Sequence, residues 1–261
     1  MTALQDAMLA RMNKQAMVDA FHAEGFTEIN MGTSLETMAD YVRWCGGLRD
    51  LTLACVRKAD GANVFFTEDE WNAMSANTKS RYVKIGVRIR ARKRCFILAK
   101  DNVKDADGGL TFAFGCYGTD LKGVQNYGSN STGLYGITSG QADTKAAIDQ
   151  SAGKTDSQNI SGAPACEAAW NYKAADEDRN QWYLPSIAEL RLVAEYRVEI
   201  NAFLTRMFTS ENLLLLEWYW SSTEVSSTYS WYVYLSSGYS STCNRTYRSR
   251  VRPVCECSSA E

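Results

Sequence analysis

The fold of this chain is decided by the stretch Trp182-Tyr183-Leu184-Pro185-Ser186-Ile187-Ala188-Glu189-Leu190. Ser186 and Glu189 have the spacing of a capping box, in which a serine hydroxyl and a glutamate carboxylate accept hydrogen bonds from free N–H groups at a helix start. The proline just before Ser186 supports the same helix start. The stretch therefore predicts a short buried segment followed at once by an amphipathic helix.

Two further motif blocks follow this stretch, and a shorter motif precedes it. The blocks are Tyr219-Trp220-Ser221-Ser222-Thr223-Glu224 and Arg250-Val251-Arg252-Pro253-Val254, and the shorter motif is Gly140-x-Ala142-Asp143-Thr144. Large apolar residues recur in these blocks, as in the buried frame of a domain. The predicted framework residues are Trp182, Pro185, Trp220, Trp231, Val233, Val251 and Pro253.

The segment Val225–Arg250, here called the Ser/Tyr window, has an unusual composition. It holds eight Ser, five Tyr and three Thr, with no Lys, Glu, Asp, Gln or Met. Tyr gives stiff, amphipathic contact area, and Ser gives small, adaptable hydrogen-bonding groups, so this mixture is typical of a binding surface. The alternative is a Ser/Tyr-rich sheet edge that folds but holds no ligand.

Residue alternation divides the window into two faces. Positions 231, 233 and 235 are apolar, whereas positions 232, 234 and 236 are Tyr or Ser, which predicts a strand with one buried and one solvent-facing side. The Tyr residues are the expected anchors, and Arg245 and Arg248 are either surface contacts or solvated charges. The predicted ligand-binding residues are Val225, Ser226, Ser227, Tyr229, Ser230, Tyr232, Tyr234, Ser236, Tyr239, Ser240, Ser241, Cys243, Asn244, Thr246, Tyr247 and Ser249.

The three motif blocks, in this order, resemble a C-type-lectin-like domain of the bacterial and phage type, which is related to the formylglycine-generating-enzyme fold. The resemblance covers roughly residues 81–257 and implies an α+β fold with short, twisted antiparallel sheets and two or more helices. We predict a small helical or mixed N-terminal domain over residues 1–78, for attachment or oligomerisation, and a ligand-binding domain over residues 79–261.

Within this fold the chain is most similar to the variable proteins of diversity-generating retroelements. In such systems adenines in a C-terminal repeat are replaced by any base, so that AAC codons for Asn become codons for Ser, Thr, Tyr, Cys, Val, Gly, Asp and others. They never become codons for Lys, Glu, Gln, Met or Trp, and the window contains none of these except Trp231. The resemblance thus implies a hypervariable binding surface.

Composition limits the other functional classes. A net charge of −2 gives no general reason to expect a nucleic-acid partner. Residues 81–94 hold seven Lys or Arg, which fits either a nucleic-acid contact or, as we favour, a strand with one solvated basic face. No apolar run has the length of a membrane span, and the N-terminus lacks the pattern of a signal peptide. We therefore expect synthesis in the cytoplasm, followed by display on a phage tail or cell surface.

Metal and cofactor chemistry is not expected. His22 is the single histidine, and six of the eight cysteines are scattered without metal-ligand spacing. The pair Cys255-Glu256-Cys257 has poor spacing for zinc and is interpreted as structural. In a reducing compartment such cysteines act mostly as small buried apolar residues.

Three functions remain open from the sequence. The first is a retroelement-diversified receptor-binding protein with a protein or cell-surface ligand; phage relatives of this kind are trimeric, so the resemblance allows a homo-oligomer. The second is a fixed lectin-like adhesin or structural domain without diversification. The third is an enzyme of the formylglycine-generating type, for which Cys243 and Cys255 are the cysteines nearest the proposed surface.

Overall fold

The computed structural model describes residues 48–91, 94–124, 126–128 and 140–257. The first 47 residues of the predicted N-terminal domain, with His22 and Cys45, lie outside the described residues. The chain divides into two units, residues 1–49 with 91–93, and residues 50–90 with 94–261. The site lies in the second unit.

The described elements are short strands interspersed with helices. The strands are β1 (Leu48–Arg57), β2 (Asn63–Phe66), β3 (Tyr82–Ala91), β4 (Arg94–Ala99), β5 (Phe112–Ala113), β6 (Trp182–Tyr183), β7 (Trp218–Ser226), β8 (Tyr229–Tyr234), β9 (Tyr239–Asn244), β10 (Arg248–Ser249) and β11 (Val254–Glu256). The helices are α1 (Glu68–Ala73), α2 (Ala76–Lys79), α3 (Gly140–Ser151), α4 (Pro164–Trp170), α5 (Ile187–Glu195) and α6 (Arg197–Met207), with a 3-10 turn at Ser210–Asn212. The predicted α+β class with antiparallel sheets and helices is confirmed.

A six-stranded sheet in the order β2-β1-β3-β4-β11-β6 forms the main layer. It includes β1 and β2, which precede the domain boundary predicted at residue 78. The sequence changes character near that position because the short helix α2 lies there. This helix is capped by the Ser75 hydroxyl and connects two parts of the same unit. The second unit therefore extends back to Asp50 rather than beginning at residue 79.

The basic run of β3 is held against the protein more closely than a solvated face would be. The Arg88 guanidinium lies 4.3 Å from the centre of the Phe65 ring and 3.7 Å from the Asp50 carboxylate. Arg90 also approaches Asp50, at 3.4 Å. Both arginine side chains are only partly exposed, because their stems pack over the sheet while their charges are offset by one carboxylate.

The stretch at residues 182–190 forms β6 and the first turn of α5, with the capping box predicted for it. The Ser186 hydroxyl accepts a hydrogen bond from the Glu189 N–H, and the Glu189 carboxylate accepts one from the Ser186 N–H at 2.7 Å. Gly140, at the start of α3, packs directly on this box, since a Cβ there would lie 2.7 Å from a Glu189 oxygen. This close approach explains the glycine of the upstream motif.

The tryptophans of the motif blocks anchor the core, and each satisfies its indole N–H. The Trp182 indole N–H donates to the Asp178 carboxylate at 2.7 Å, and the Trp220 indole N–H donates to the Phe112 carbonyl at 2.8 Å. A buried indole needs such a partner because an unpaired N–H in the core is destabilising. All seven predicted framework residues are buried. No described helix combines the length and apolar character that crossing a membrane requires.

Candidate functional site

The Ser/Tyr window forms most of a separate three-stranded antiparallel sheet in the order β7-β8-β9. In its register Trp231 lies opposite Thr242, and Tyr234 lies opposite Tyr239. The tight turn between β8 and β9 is closed by a hydrogen bond from the Gly238 N–H to the Tyr234 carbonyl at 2.9 Å, with a φ of 72° at Gly238. A positive φ of this kind favours glycine.

One face of β8 is buried, as the alternation predicted, and this face lies against α5. Trp231, Val233 and Leu235 are buried. The Arg191 guanidinium of α5 donates a hydrogen bond of 2.7 Å to the hydroxyl of Ser240, which lies opposite Val233. Ser240 is therefore a partly buried contact to α5 as well as a predicted ligand residue.

The opposite face carries an aromatic cluster, defined as Trp218, Trp220, Tyr232, Tyr234 and Tyr239. Trp218 lies at its centre: its ring stacks on Tyr232 with 3.9 Å between centroids, and lies 5.1 Å from Tyr234 and 6.2 Å from Tyr239. Trp220 is buried at one end of the cluster, and Tyr239 is 62% exposed at the other. The cluster thus runs from the core to solvent.

Tyrosines of the window dominate the exposed apolar surface. Five large hydrophobic residues are exposed among the described residues, and three of them are Tyr229, Tyr239 and Tyr247. These side chains are the best-placed contacts among the predicted ligand residues. Most of the remaining predicted ligand residues are partly buried: Val225, Ser226, Ser227, Tyr232, Tyr234, Ser236, Ser240, Ser241, Cys243, Asn244 and Thr246.

Two predicted ligand residues need correction, because Ser230 and Ser249 are buried. The Ser230 hydroxyl accepts a hydrogen bond from the Arg245 guanidinium at 3.1 Å, and Ser249 pairs with Phe112 in the small β10–β5 sheet. Both belong to the framework in this conformation. The alternation argument failed at Ser230 because a buried arginine covers that end of β8.

Arg245 itself has neither of the two roles considered for it, surface contact or solvated charge. It is fully buried and forms an ion pair with the equally buried Glu224. Its guanidinium also donates to the Thr119 carbonyl at 3.1 Å and lies 5.0 Å from the centre of the Phe114 ring. Arg245 therefore ties the window to the loop that precedes α3, whereas Arg248 remains largely exposed.

The turn that follows β9 is organised by its own side chains. The Asn244 carboxamide oxygen accepts hydrogen bonds from the Thr246 N–H at 3.0 Å and from the Thr246 hydroxyl at 2.9 Å. This Asx turn projects Tyr247, the most exposed aromatic residue described, into solvent. Asn244 and Thr246 thus shape the surface as well as forming part of it.

The cysteines near this surface have the character of unreactive thiols. Burial raises the pKa of Cys243, although a hydrogen bond from the Tyr232 hydroxyl to its sulfur acts in the opposite direction. Burial also raises the pKa of Cys255 well above its usual value. A thiol that stays protonated is a poor nucleophile. Among the described residues, no group of three or more His, Cys, Asp or Glu is arranged to hold a metal ion.

Residues 130–255 match the family model of the Lcl C-terminal domain. The match covers just under half of the chain, includes the whole Ser/Tyr window, and supports a C-type-lectin-like, ligand-binding domain. Comparisons with curated proteins and with solved structures found no significant match.

Trp218 is the site residue that the sequence interpretation missed. It stands two positions before the framework residue Trp220. Residues at i and i+2 of a strand share a face, and Trp218 lies opposite Tyr234 in the register. That spacing was the available signal, but the pairing partner became known only with the sheet.

Proposed function

We propose that this chain is a hypervariable ligand-binding protein, diversified by a retroelement, whose contact surface is centred on β8, β9 and the turn that follows. One observation carries this proposal: the residue types that adenine replacement generates occupy the accessible positions of the window. The residue that such replacement cannot generate, Trp231, lies in the core. Selection for a soluble surface alone would leave Lys or Glu among the accessible positions.

The surface has the physical properties of a contact site. Tyr229, Tyr239 and Tyr247 present large, stiff side chains to solvent, and the partly buried serines around them provide small hydrogen-bonding groups. Exposed aromatic residues are typical anchors of protein interfaces because their burial excludes water over a large area. Trp218 adds to this surface beside Tyr239, whose ring centre lies 6.2 Å from its own.

The ligand class that fits is a protein or another component of a cell surface. We assign no catalytic step, cofactor or metal to this surface, and no formylglycine-generating activity, since burial raises the pKa of the Cys243 thiol and so disfavours its reactive thiolate form. In this proposal the N-terminal residues attach the domain to a phage tail or cell-surface carrier. A trimer would multiply the affinity of each site through avidity.

The test is to sequence the DNA that flanks the gene. We expect a repeat that matches the codons for about residues 220–254 and differs only where the repeat carries adenine, together with a reverse-transcriptase gene. Codons for Trp231 and Arg245 should match the repeat without change. Absence of both the repeat and the reverse transcriptase would reject diversification and leave a fixed lectin-like domain.

A further inference from the structure

Cys95 lies on β4, and Cys257 directly follows the last residue of β11, the neighbouring strand of the six-stranded sheet. β4 and β11 pair antiparallel, and the register that sets Phe96 opposite Glu256 brings Cys95 opposite Cys257 at the next position. The two cysteines are separated by more than 160 residues of sequence, so only the folded sheet brings them together.

The geometry of this pairing suits a covalent bond between the two sulfurs. Both side chains belong to one hydrophobic cluster on the same face of the sheet. The Ala99 N–H donates to the Pro253 carbonyl at 2.9 Å, so Ala99 and Pro253 form a hydrogen-bonded pair of the antiparallel ladder. Because hydrogen-bonded pairs recur at every second residue, the same register makes Cys95 and Cys257 another pair of this type. Such pairs have Cα atoms about 5.5 Å apart, which lies within the range of disulfides.

The two thiols differ in pKa, and this difference suits one of them to attack a disulfide and the other to resolve the mixed disulfide that forms. The Cys95 thiol donates a hydrogen bond to the Cys257 sulfur, and this contact, assisted by the positive charges of Arg88 and Arg90, lowers the pKa of Cys257 although burial opposes it. The same hydrogen bond, together with burial, raises the pKa of Cys95. Cys257 is therefore the better thiolate, and thiolates are the reactive form.

We propose that Cys95 and Cys257 form an oxidisable dithiol, a modification site for small-molecule disulfides. The Cys257 thiolate attacks one sulfur of the small disulfide, forms a mixed disulfide and releases one small thiolate. Cys95 then loses its proton and attacks the Cys257 sulfur, which forms the Cys95–Cys257 bond and releases the second small thiolate. Two protein thiols are oxidised and one small disulfide is reduced to two thiols.

The bond would link the last described strand to the middle of the sheet. It closes a loop that contains the β7-β8-β9 sheet and all three motif blocks. Closing a long loop stabilises the folded state mainly by restricting the unfolded chain. The two thiols would thus stay reduced in a reducing compartment, and the disulfide would form once the protein meets an oxidising environment. This inference does not depend on the identity of the ligand.

The experiment uses the full chain, purified reduced and then incubated with oxidised glutathione near neutral pH. Remaining thiols are blocked with N-ethylmaleimide at mildly acidic pH, and the protein is cleaved with trypsin and with a protease specific for glutamate. Cleavage after Glu256 separates Cys255 from Cys257, so the expected product is residues 95–100 linked to residues 257–261. Blocked thiols should fall from eight to six, and the melting temperature should rise by about 5 °C or more.

Variants separate this pair from the other cysteines. Cys95→Ser and Cys257→Ser should each abolish the linked product, whereas Cys243→Ser, a partly buried cysteine in another sheet, should leave it unchanged. Eight free thiols after oxidation, or a link between any other two cysteines, would overturn the proposal, and the unsubstituted protein alone suffices for that result. A lower melting temperature in the oxidised form would also overturn it, because the sheet would then be distorted by the bond.

Discussion

At the level of single residues, the Glu224–Arg245 pair determines how firmly the window is attached to the domain. Both side chains are completely buried, and the second Glu224 oxygen, Oε2, has no hydrogen-bond partner. Two charges taken out of water are tolerated only because they neutralise each other, so removal of one partner leaves an uncompensated charge in the core.

We therefore expect Arg245→Ala to lower the free energy of unfolding by about 3–5 kcal/mol, as measured by urea denaturation. The matched control is Arg248→Ala, which removes an exposed guanidinium three positions away and should change stability by less than about 1 kcal/mol. Equal effects of the two substitutions would contradict the assignment of Arg245 to the framework.

Trp218 acts on its neighbour Tyr232 through exclusion of water. The stacked indole helps to bury the phenol, and burial is the main reason why the pKa of Tyr232 is raised to about 12. The unfolded chain loses this proton near pH 10 and the folded chain near pH 12. Because the folded state retains the proton longer, this residue's contribution to stability falls as the pH rises from about 10 to 12.

Trp218→Ala should therefore shift the pKa of Tyr232 back toward 10. The measurement is absorbance at 295 nm against pH, with the signal of Tyr232 isolated by subtracting the same titration of a Tyr232→Phe variant in each background. Far-UV circular dichroism at each pH verifies that the protein remains folded. An unchanged titration would show that Trp218 does not shield the phenol and would remove it from the contact surface.

At the level of elements, β8 carries residues that should tolerate substitution next to residues that should not. Trp231 is buried, and its indole N–H donates to the Tyr127 carbonyl at 2.9 Å, whereas Tyr234 is partly exposed on the other face. Trp231→Ala should lower the free energy of unfolding by about 3–5 kcal/mol because it leaves a large cavity. Tyr234→Ser should lower it by about 1 kcal/mol or less. Similar losses for both, measured in urea, would contradict a two-faced strand.

The helix caps show which elements a sequence reveals by itself. The capping boxes at Thr67 and Ser186 are both present, because the signal lies within four consecutive residues. α6 was missed although Ile200, Phe203, Leu204 and Met207 recur at helical spacing and are buried. Its N-cap residue Tyr196 provides no side-chain cap, so the start of this helix has no local signal.

Pairing between distant strands could not be predicted in the same way. β4 meets β11 across more than 150 residues of chain, and nothing local to either strand specifies the other. The burial of Arg245 could not be predicted for a related reason, since its partner Glu224 lies on β7 and its carbonyl acceptor Thr119 lies in the loop before α3. Residue alternation identified the two faces of β8 correctly, but it could not show that a buried arginine covers Ser230 at one end of the strand.

At the level of the whole molecule, a hypervariable protein has to fold with nearly any set of side chains at its variable positions. The structure meets this requirement by dividing the window: the buried Arg245 donates to the loop before α3, the buried Ser249 pairs with β5, and Trp231 and Val233 lie in the core. Two less buried residues also contact the framework, Ser240 at α5 and Arg248 at β5. The exposed side chains make few such contacts. Diversity at exposed positions should therefore leave the free energy of unfolding almost unchanged.

Two libraries of the full chain, displayed and exposed to protease, test this division directly. The first randomises five accessible positions with adenine-replacement codons, and the second randomises five buried ones in the same way. The accessible set is Tyr229, Tyr234, Tyr239, Ser241 and Tyr247, and the buried set is Ser230, Trp231, Val233, Arg245 and Ser249.

Most members of the first library should resist the protease as well as the unsubstituted chain does, and most of the second should be cleaved, because each buried change leaves a cavity or an unpaired polar group. The comparison needs no knowledge of the ligand, since it measures only what the fold permits. Equal survival would mean that the buried residues of the window do not hold the sheet in place. Equal loss would mean that the exposed tyrosines are themselves structural, and a surface of that kind could not be diversified without unfolding the domain.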